Sequence, residues 1–296
     1  MTINAGAPVV VGVDGSAEGL AAVRVAAREA AHRRRALRIV HAFIWPLMHV
    51  PVGPAPGGPA DGGLRHQAER YVEQAMAEAG QVAPEVPVTG VVVDGAPTPV
   101  MVHESRGAAL LVLGNRGLGG FAELLIGSVT VQVTARALCP VLVVRGEPRA
   151  RGPVVVGVDG SELSIEAVGF AFEEAANRSA PLVAVHAWLF ATPALRDGSV
   201  PRVHDVDGLG EELDRVLPEA VAGYAESFPQ VAVQHLLVRG TPAHVLAEQS
   251  KTAQLVVVGA HGRGMLGGLL LGSVSHAVLH HAHAPLAIVR HRSRPH

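Results

Sequence analysis

The sequence predicts an α/β protein made of two tandem, doubly wound domains. Residues 8–16 and 153–161 have the same sequence, PVVVGVDGS, at a distance of 145 positions. A constant offset over the full length indicates two copies of one domain. In each copy, apolar runs alternate with amphipathic segments, and this alternation predicts a parallel sheet covered by helices on both faces. The same offset of 145 separates His41 and His186, Gly114 and Gly259, Pro97 and Pro242, Pro140 and Pro285, and Arg145 and Arg290.

Length and composition agree with two domains of ordinary size. A chain of 296 residues exceeds the size at which a single hydrophobic core usually stops growing. The repeat predicts a first domain at residues 1–147 and a second at residues 151–296, joined by a short polar linker. The single cysteine, Cys139, excludes an internal disulfide and a cysteine-based zinc site.

Charge and hydropathy argue against several classes of partner. The formal net charge is −2 and no long basic run occurs, so nucleic-acid binding has no electrostatic support. No apolar run reaches the roughly 18 residues that a membrane-spanning helix needs, and the N-terminal segment lacks the basic leader of a signal peptide. We therefore expect a cytoplasmic protein with no nucleic-acid and no membrane partner.

Each element of the first copy has a local signal. The β-branched run at 9–13 is typical of a strand buried on both faces. Ser16 is a suitable N-cap for the helix that follows, and Glu29 and Arg33 are spaced i,i+4 on its expected solvent side. The remaining predictions are strands at 37–43, 86–93, 110–113 and 141–144, and helices at 64–80, from Pro97, and at 127–138.

The second copy repeats this order of elements. Each copy also has one long irregular segment, at 46–63 and at 190–210, and loops of such length are usually functional or mobile. The strands of the second copy are predicted near 154–158, 182–187, 231–238, 255–258 and 286–289.

The strand order predicts where a ligand would bind. Five parallel strands joined by right-handed crossovers usually take the order 3-2-1-4-5, so the winding reverses between strands one and four. Ligands of such sheets bind in the crevice at the carboxyl ends of those strands. Asp14 ends strand one and Gly114 ends strand four, and Asp159 and Gly259 are their counterparts.

A glycine-rich loop follows strand four in both copies. Residues 111–130 read LVLGNRGLGGFAELLIGSVT and residues 256–275 read VVVGAHGRGMLGGLLLGSVS. Both contain G-x2-G-x9-G-S, in which glycines let backbone N–H groups converge and a helix start adds its positive end. The loop is longer than a Walker A loop and lacks its lysine, and the first strand lacks G-x-G-x-x-G. The pattern predicts a polyphosphate site, with Arg116 and Arg263 as nearby cations.

Together with V-G-V-D-G-S at the start of each copy, these glycines resemble the universal stress protein family across both halves of the chain. The resemblance implies an adenine nucleotide α-hydrolase-like, Rossmann-type fold. Members with this glycine pattern form the nucleotide-binding subgroup, so it also implies that ATP, with Mg²⁺, or a related adenine nucleotide binds each half.

The resemblance further implies a set of nucleotide contacts in each half. In the first half, these are Gly12 and Asp14 for ribose and phosphates, the backbone at Ala42 for adenine, and Gly114, Gly117, Gly127, Ser128 and Val129 for the triphosphate. In the second half, the same roles fall to Gly157, Asp159, Ala187, Gly259, Gly262, Gly272, Ser273 and Val274. Neighbouring loop residues complete the predicted sites: Asn115, Arg116, Leu118, Gly119, Gly120, Arg263 and Gly264.

One difference between the loops suggests unequal sites. The first loop contains Glu123, where the second has Gly268. A carboxylate near a triphosphate repels it unless the side chain turns to solvent. Our hypothesis is that the first copy binds ATP more weakly than the second, which titration of the two halves would test.

Several of these residues also have simpler interpretations. Asp14 and Asp159 precede glycine and would suit a turn without any ligand. Ser128 and Ser273 could be sites of self-phosphorylation, although a capping or phosphate-contacting hydroxyl is the preferred interpretation. In the remaining cases we favour a structural role: His41 and His186 as core imidazoles, Cys139 as an apolar filler, and His276 and His280 as an i,i+4 pair without a third metal ligand.

The sequence favours a nucleotide-binding regulator of stress or energy status over an enzyme. It supplies no nucleophile with an adjacent base and no lysine aimed at a γ-phosphate. The alternatives are an ATP-hydrolysing or adenylyl-transferring α/β enzyme and an interaction protein with empty crevices. We also expect the fifth strands of the two copies to cover each other in an intramolecular pseudo-dimer, with a homodimer as a further alternative.

Overall fold

A computed structural model describes residues 6–44, 63–117, 126–145, 149, 151–188, 206–262 and 271–290, with the backbone alone at 206–214. The described chain forms two compact units. The first contains the described residues up to 145 together with 271 and 285–290. The second contains the described residues 149, 151–188, 206–262 and 272–284.

The first unit alternates strands and helices as the sequence predicts. Its third strand and fourth helix are each shifted or shortened by about two residues relative to the prediction, which is ordinary uncertainty at element ends. Its elements are β1 (Val9–Val13), α1 (Ala17–Arg33), β2 (Leu37–Phe43), α2 (Leu64–Val82), β3 (Val88–Asp94), α3 (Pro97–Glu104), β4 (Leu110–Gly114), α4 (Ser128–Arg136) and β5 (Val141–Val144).

The sheet of the first unit has the predicted order β3-β2-β1-β4-β5, and these strands are all parallel. Val11 of β1 is in register with Ile39 on one side and Val112 on the other. The side chains of Val9 and Val11 are fully buried, because helices cover both faces of a central parallel strand. The predicted fold class is therefore confirmed.

A sixth strand completes the first unit. Strand β10 (Leu286–Val289) is the fifth strand of the second copy, and it pairs antiparallel with β5 through Ala287 and Leu142. The next residue, Arg290, donates hydrogen bonds to the carbonyl oxygens of Thr134 (3.2 Å) and Ala135 (2.6 Å) in the last turn of α4. The C-terminal carbonyls of a helix lack intrahelical donors, so Arg290 anchors this strand, and burial lowers the pKa of its guanidinium.

The second unit repeats the order of the first. Its strands lie in the order β8-β7-β6-β9 and are parallel. Helix α6 contains Pro218, and in the described chain no helix combines the length and apolarity needed to cross a membrane. The elements are β6 (Val154–Gly157), α5 (Glu162–Arg178), β7 (Leu182–Trp188), α6 (Val206–Ser227), β8 (Val233–Arg239), α7 (Pro242–Gln249), β9 (Leu255–Gly259) and α8 (Ser273–His281).

The first helix of each unit starts at a serine cap. The Ser16 hydroxyl accepts a hydrogen bond from the Gly19 N–H at 3.0 Å, which confirms the predicted N-cap. Ser161 caps α5 in the same way, accepting from the Ser164 N–H at 3.2 Å. The turn before Ser16 needs a positive φ of 87° at Gly15, a conformation that glycine adopts without strain.

The charged pair on α1 is buried, so its predicted position on the solvent side is wrong. Glu29 is 2% exposed and contacts Arg33, which is 10% exposed, at 3.4 Å. Helix α1 packs against α2 as well as against β1, β4 and β5, so more of its surface is covered than the apolar stripe alone indicates. The equivalent pair of α5, Glu174 and Arg178, is buried in the same manner.

Candidate functional site

Each unit has a cavity at the carboxyl ends of its first and fourth strands. The cavity of the first unit has a volume of about 360 Å³ and lies where β1 and β4 end. The cavity of the second unit has the same volume, about 360 Å³, and lies where β6 and β9 end. Both occupy the crevice that the reversal of winding creates in a sheet of this order.

The two cavities are lined by equivalent positions of the repeat. In the first pocket, the lining comes from the ends of β1, β2 and β4 and from the starts of α3 and α4: Gly12, Val13, Asp14, Gly19, Val40, Ala42, Pro97, Met101, Leu113, Gly114, Arg116, Gly117, Ile126, Gly127, Ser128, Val129 and Thr130. In the second pocket, it consists of Gly157, Val158, Asp159, Ser164, Val185, Ala187, Pro242, Leu246, Val258, Gly259, His261, Gly262, Gly272, Ser273, Val274 and Ser275.

Close backbone packing explains why glycines occupy two of these positions. A Cβ at Gly117 would collide with the Asp14 carboxylate, and one at Gly262 would collide with Asp159. A Cβ at Gly114 would lie 3.0 Å from the backbone oxygen of Glu18. The strand-end glycine therefore lets α1 approach β4, and the second glycine lets the carboxylate lie against the loop.

The carboxylate at the end of the first strand is held by the N-cap serine. Oδ1 of Asp14 accepts hydrogen bonds from the N–H of Ser16 at 3.0 Å and from its hydroxyl. Asp159 accepts from Ser161 in the same way, with 3.0 Å to the N–H and 2.6 Å to the hydroxyl. Both interpretations of these aspartates thus have support, because each shapes its turn and also lines its cavity.

The first turn of α4 presents backbone N–H groups to the cavity. Gly127 is the N-cap residue of α4, and its N–H is already used, donating to the Asn115 carbonyl at 2.7 Å. The N–H groups of Ser128 and Val129 lie in the first turn, where the helix itself provides no acceptor. The Thr130 hydroxyl donates to the Gly114 carbonyl at 2.9 Å and fixes the helix start to the strand end.

Among the described residues, one basic side chain lines each pocket, and the two differ in kind. Arg116 lines the first pocket and His261, at the equivalent position, lines the second. In the described residues, Nε of Arg116 and Nε2 of His261 are the buried side-chain nitrogens that have no hydrogen-bond partner. An unsatisfied buried polar group costs roughly 1–3 kcal/mol. Burial and the nearby Arg116 guanidinium both lower the pKa of Arg145, so like charges repel beside the first pocket.

Two histidines support the strand ends beneath the pockets. Nδ1 of His41 lies 2.9 Å from the Val13 carbonyl oxygen, and Nδ1 of His186 lies 2.7 Å from that of Val158. Both imidazoles therefore have a hydrogen-bond partner, as predicted, but only His186 is buried in the core, while His41 is partly exposed. Burial lowers the pKa of His41, while the Val13 carbonyl and the Asp14 carboxylate partly oppose that shift.

Some predicted site residues lie elsewhere or outside the described residues. Asn115 does not line the cavity; its N–H donates to the Val144 carbonyl at 3.0 Å and its carbonyl accepts from Gly127, so its backbone braces the loop. The predicted contacts Leu118, Gly119, Gly120, Arg263 and Gly264, and the contrasting pair Glu123 and Gly268, lie outside the described residues.

Some pocket residues were not among the predictions. Arg116 lines the first pocket as predicted, and Arg263 lies outside the described residues. The residue equivalent to Arg116 is His261, which lines the second pocket and which the offset of 145 could have identified. The predictions also lacked Ser164, Met101 and Leu246, which line the pockets from helices whose orientation the periodicity left open.

Two simpler interpretations can be compared with the structure. The residues that cap α4 and α8 are Gly127 and Gly272, so Ser128 and Ser273 occupy the first helical position and a capping role for their hydroxyls is wrong. The rings of His276 and His280 lie 4.7 Å apart. Within the part of the chain that the structure describes, no group of three or more His, Cys, Asp or Glu residues could hold a metal ion.

The chain is similar to known proteins over almost its whole length. The model of the universal stress protein family matches twice, at residues 7–145 and 151–290. The universal stress protein Rv2005c of Mycobacterium tuberculosis is 39% identical over 294 residues, covering 95% of this chain and 96% of the relative. A universal stress protein of Mycolicibacterium smegmatis is 36% identical over 295 residues, covering 96% and 97%.

Solved structures support the same fold. The crystal structure of a universal stress protein from Archaeoglobus fulgidus has a TM-score of 0.64 at 17% identity, and the match covers 96% of each chain. The two family matches correspond to the two copies found in the sequence. The chain therefore belongs to the universal stress protein family, as a member with two tandem copies of the family domain.

Proposed function

We propose that this protein is a regulator that binds adenine nucleotides, ATP foremost, in the pockets of its two units. The main support is that both units have the same kind of pocket. Each has a carboxylate, a glycine against that carboxylate (Gly117 or Gly262, here called the glycine cradle) and a helix start at equivalent positions. The two copies differ in much of their remaining sequence. A shared ligand is a simple explanation for a backbone shape that both copies retain.

The described walls fit the parts of a nucleotide. A volume of about 360 Å³ lies in the range of small-molecule sites. Val40, Ala42 and Leu113 provide apolar wall suited to a purine ring. The first-turn amides of α4 and the side chain of Arg116 suit phosphate oxygens.

The glycine cradle also fits a ligand that approaches the backbone closely. Because Gly117 and Gly262 have no side chain, the adjacent amides and the carboxylates of Asp14 and Asp159 share one small space. A phosphate chain with Mg²⁺ would suit this mixture of donors and acceptors. The metal would be held mainly by phosphate oxygens and by the carboxylate of Asp14 or Asp159, and it would reduce the repulsion between that carboxylate and the phosphates.

We propose that binding, rather than turnover, is the function. The residues expected to contact the phosphates are largely backbone amides, which bind an anion without supplying a nucleophile or a base. Occupancy would then follow the cellular supply of nucleotide and report energy or stress status. ATP, ADP and cyclic nucleotides share the adenosine group, and the choice among them is a question for experiment.

Two measurements on the full-length protein test the proposal. Protein purified without added nucleotide is denatured by heat, and the released small molecules are identified by mass spectrometry. Nucleotide-free protein is then titrated with Mg·ATP by calorimetry. We expect released adenine nucleotide and saturable binding heat. If no nucleotide is released and no heat is detected, the proposal is wrong.

A matched variant shows whether binding involves the helix starts. In the double variant S128E/S273E, a carboxylate stands at the first position of each pocket helix. Acidic residues are favourable there for the helix, so we expect the fold to persist while phosphate binding is lost. The control S227E places the same charge at the end of α6, away from both pockets. Equal ATP binding by the double variant and the control would exclude the proposed site.

A further inference from the structure

We propose that the residue between the two loop glycines, Arg116 in the first pocket and His261 in the second, determines how much negative charge each pocket accepts. The first pocket would favour adenosine triphosphate over adenosine monophosphate more strongly than the second. This inference rests on the proposed function, because it concerns which adenine nucleotide each pocket selects.

The two side chains occupy equivalent places in the pockets. Each follows the strand-end glycine by two positions and directly precedes the cradle glycine, Gly117 or Gly262. Each also has a nitrogen that is cut off from solvent and has no acceptor within the described residues. Buried polar groups without a partner are rare in native proteins. A ligand anion entering the pocket would offer acceptors to the same side chain.

Charge is what differs between the two pockets at this position. The other equivalent wall residues in the described chain keep their formal charge: Asp14 matches Asp159, and the pairs Gly19 and Ser164, Met101 and Leu246, and Thr130 and Ser275 are all uncharged. An arginine is always positive and presents a planar fork of donors to phosphate. An ordinary imidazole becomes fully charged only in acid and offers fewer donors.

A second cation strengthens the contrast at the first pocket. Arg145, directly after β5, lies close enough to Arg116 that the two guanidiniums repel. An anion bound beside Arg116 relieves this repulsion, and a more highly charged anion relieves more of it. The described walls of the second pocket have the imidazole of His261 in place of the arginine, while the carboxylate is the same in both pockets, so the second is less suited to a polyphosphate.

Exchange of the two residues in the full-length protein tests the inference. The first pocket is measured in an S273E background and the second in an S128E background, by calorimetry with ATP and with AMP at pH 8. The readout is the ratio of the two dissociation constants. We expect R116H to reduce the preference for ATP roughly tenfold and H261R to increase it roughly tenfold. A tenfold change corresponds roughly to the contribution of one charge-assisted hydrogen bond.

Conservative variants and a distant control separate charge from folding. R116K and H261K keep or introduce a positive charge with a smaller change in shape, so R116K should retain most of the preference and H261K should gain part of it. R24H removes a positive charge from the α1 surface, where Arg24 pairs with Glu78 at 2.8 Å, and should leave the ratio unchanged.

The outcomes distinguish this inference from the proposed function. If the wild-type protein binds neither ATP nor AMP, the proposed function fails and the inference fails with it. If both nucleotides bind but the ratio is the same in R116H, H261R and H261K as in wild type, only the inference is overturned. An equal shift in R24H would also overturn it, since the effect would then be one of net charge.

Discussion

The two units have the same pocket backbone but different pocket charge. Gly117 and Gly262 both lie against the carboxylate of the first strand, and the N-cap serines hold those carboxylates in the same way. The basic residue differs, being Arg116 in one pocket and His261 in the other. The comparison teaches that backbone shape and side-chain charge can diverge separately after a duplication. The shared features should therefore respond equally to mutation, and the differing features unequally.

The largest expected effect concerns a feature that both units share. R33A or R178A would leave the nearly inaccessible carboxylate of Glu29 or Glu174 without its arginine. Loss of one partner of a buried pair destabilises by about 3 kcal/mol, so we expect a similar loss in each unit, measured by urea unfolding. R65A is the control, because the pairs of Arg65 with Glu69 and Asp94 are exposed and are worth about 1 kcal/mol or less. A large loss in only one unit would contradict the shared scaffold.

The glycine cradles should also respond equally. G117A and G262A place a methyl group against the carboxylate of Asp14 or Asp159, so either the loop or the carboxylate must move. We expect ATP affinity at the altered pocket to fall about 100-fold, or about 2.7 kcal/mol, by calorimetry with the other pocket blocked. In the control G80A the new methyl group meets no atom within 4 Å. Unchanged affinity in both cradle variants would show that the ligand does not use this space.

Glu123 should weaken ATP binding at the first pocket, whereas Arg116 should favour it. Replacing it in E123Q removes a carboxylate from the first glycine loop, and we expect ATP to bind roughly tenfold more tightly there. The reciprocal change G268E should weaken the second site by a similar factor. Both variants should be made and measured in the full-length protein, because separating the halves would remove β10 from the first unit. No change in either variant would mean that this side chain turns to solvent.

The smallest expected effect is a pH dependence in the first unit. The pKa of His41 is lowered in the folded protein, so the unfolded chain binds the proton more readily. Stability is then complete above the unfolded pKa of about 6.5 and is lost as the pH falls through the folded pKa. We expect the melting temperature to fall slightly less between pH 7 and pH 5 in H41Q than in wild type. The control H103Q, at an exposed site on α3, should follow wild type.

The fold could be predicted from the sequence because several local signals agree. The β-branched run of β1, the Ser16 cap and the repeat offset all specify the same alternating order, and the crossover rule then fixes the sheet. The same rule places Asp14 and Gly114 at one crevice from the sequence alone. Such agreement across levels is typical of sequences that specify one structure.

What the sequence could not predict depends on contacts between distant elements. Glu29 is buried in a helix that packs against α2, β1, β4 and β5, and a helical period alone does not show how many elements surround a helix. The role of Asn115 depends on its backbone bonds to Val144 and Gly127, which the motif cannot distinguish from ligand contacts. The loop pattern specifies the glycines and does not show which intervening side chain faces the pocket, so His261 was not among the predicted contacts.

The pairing of β5 with β10 makes the first copy depend on residues synthesised long after it. Translation must pass residue 289 before Leu142 has its antiparallel neighbour Ala287. Until then β5 is an open edge, and open edges recruit other strands. A premature stop codon or a proteolytic cut before residue 285 would therefore harm the half that was synthesised first. Cleavage of the chain at its linker would place β5 and β10 on separate fragments and leave each strand without its antiparallel neighbour.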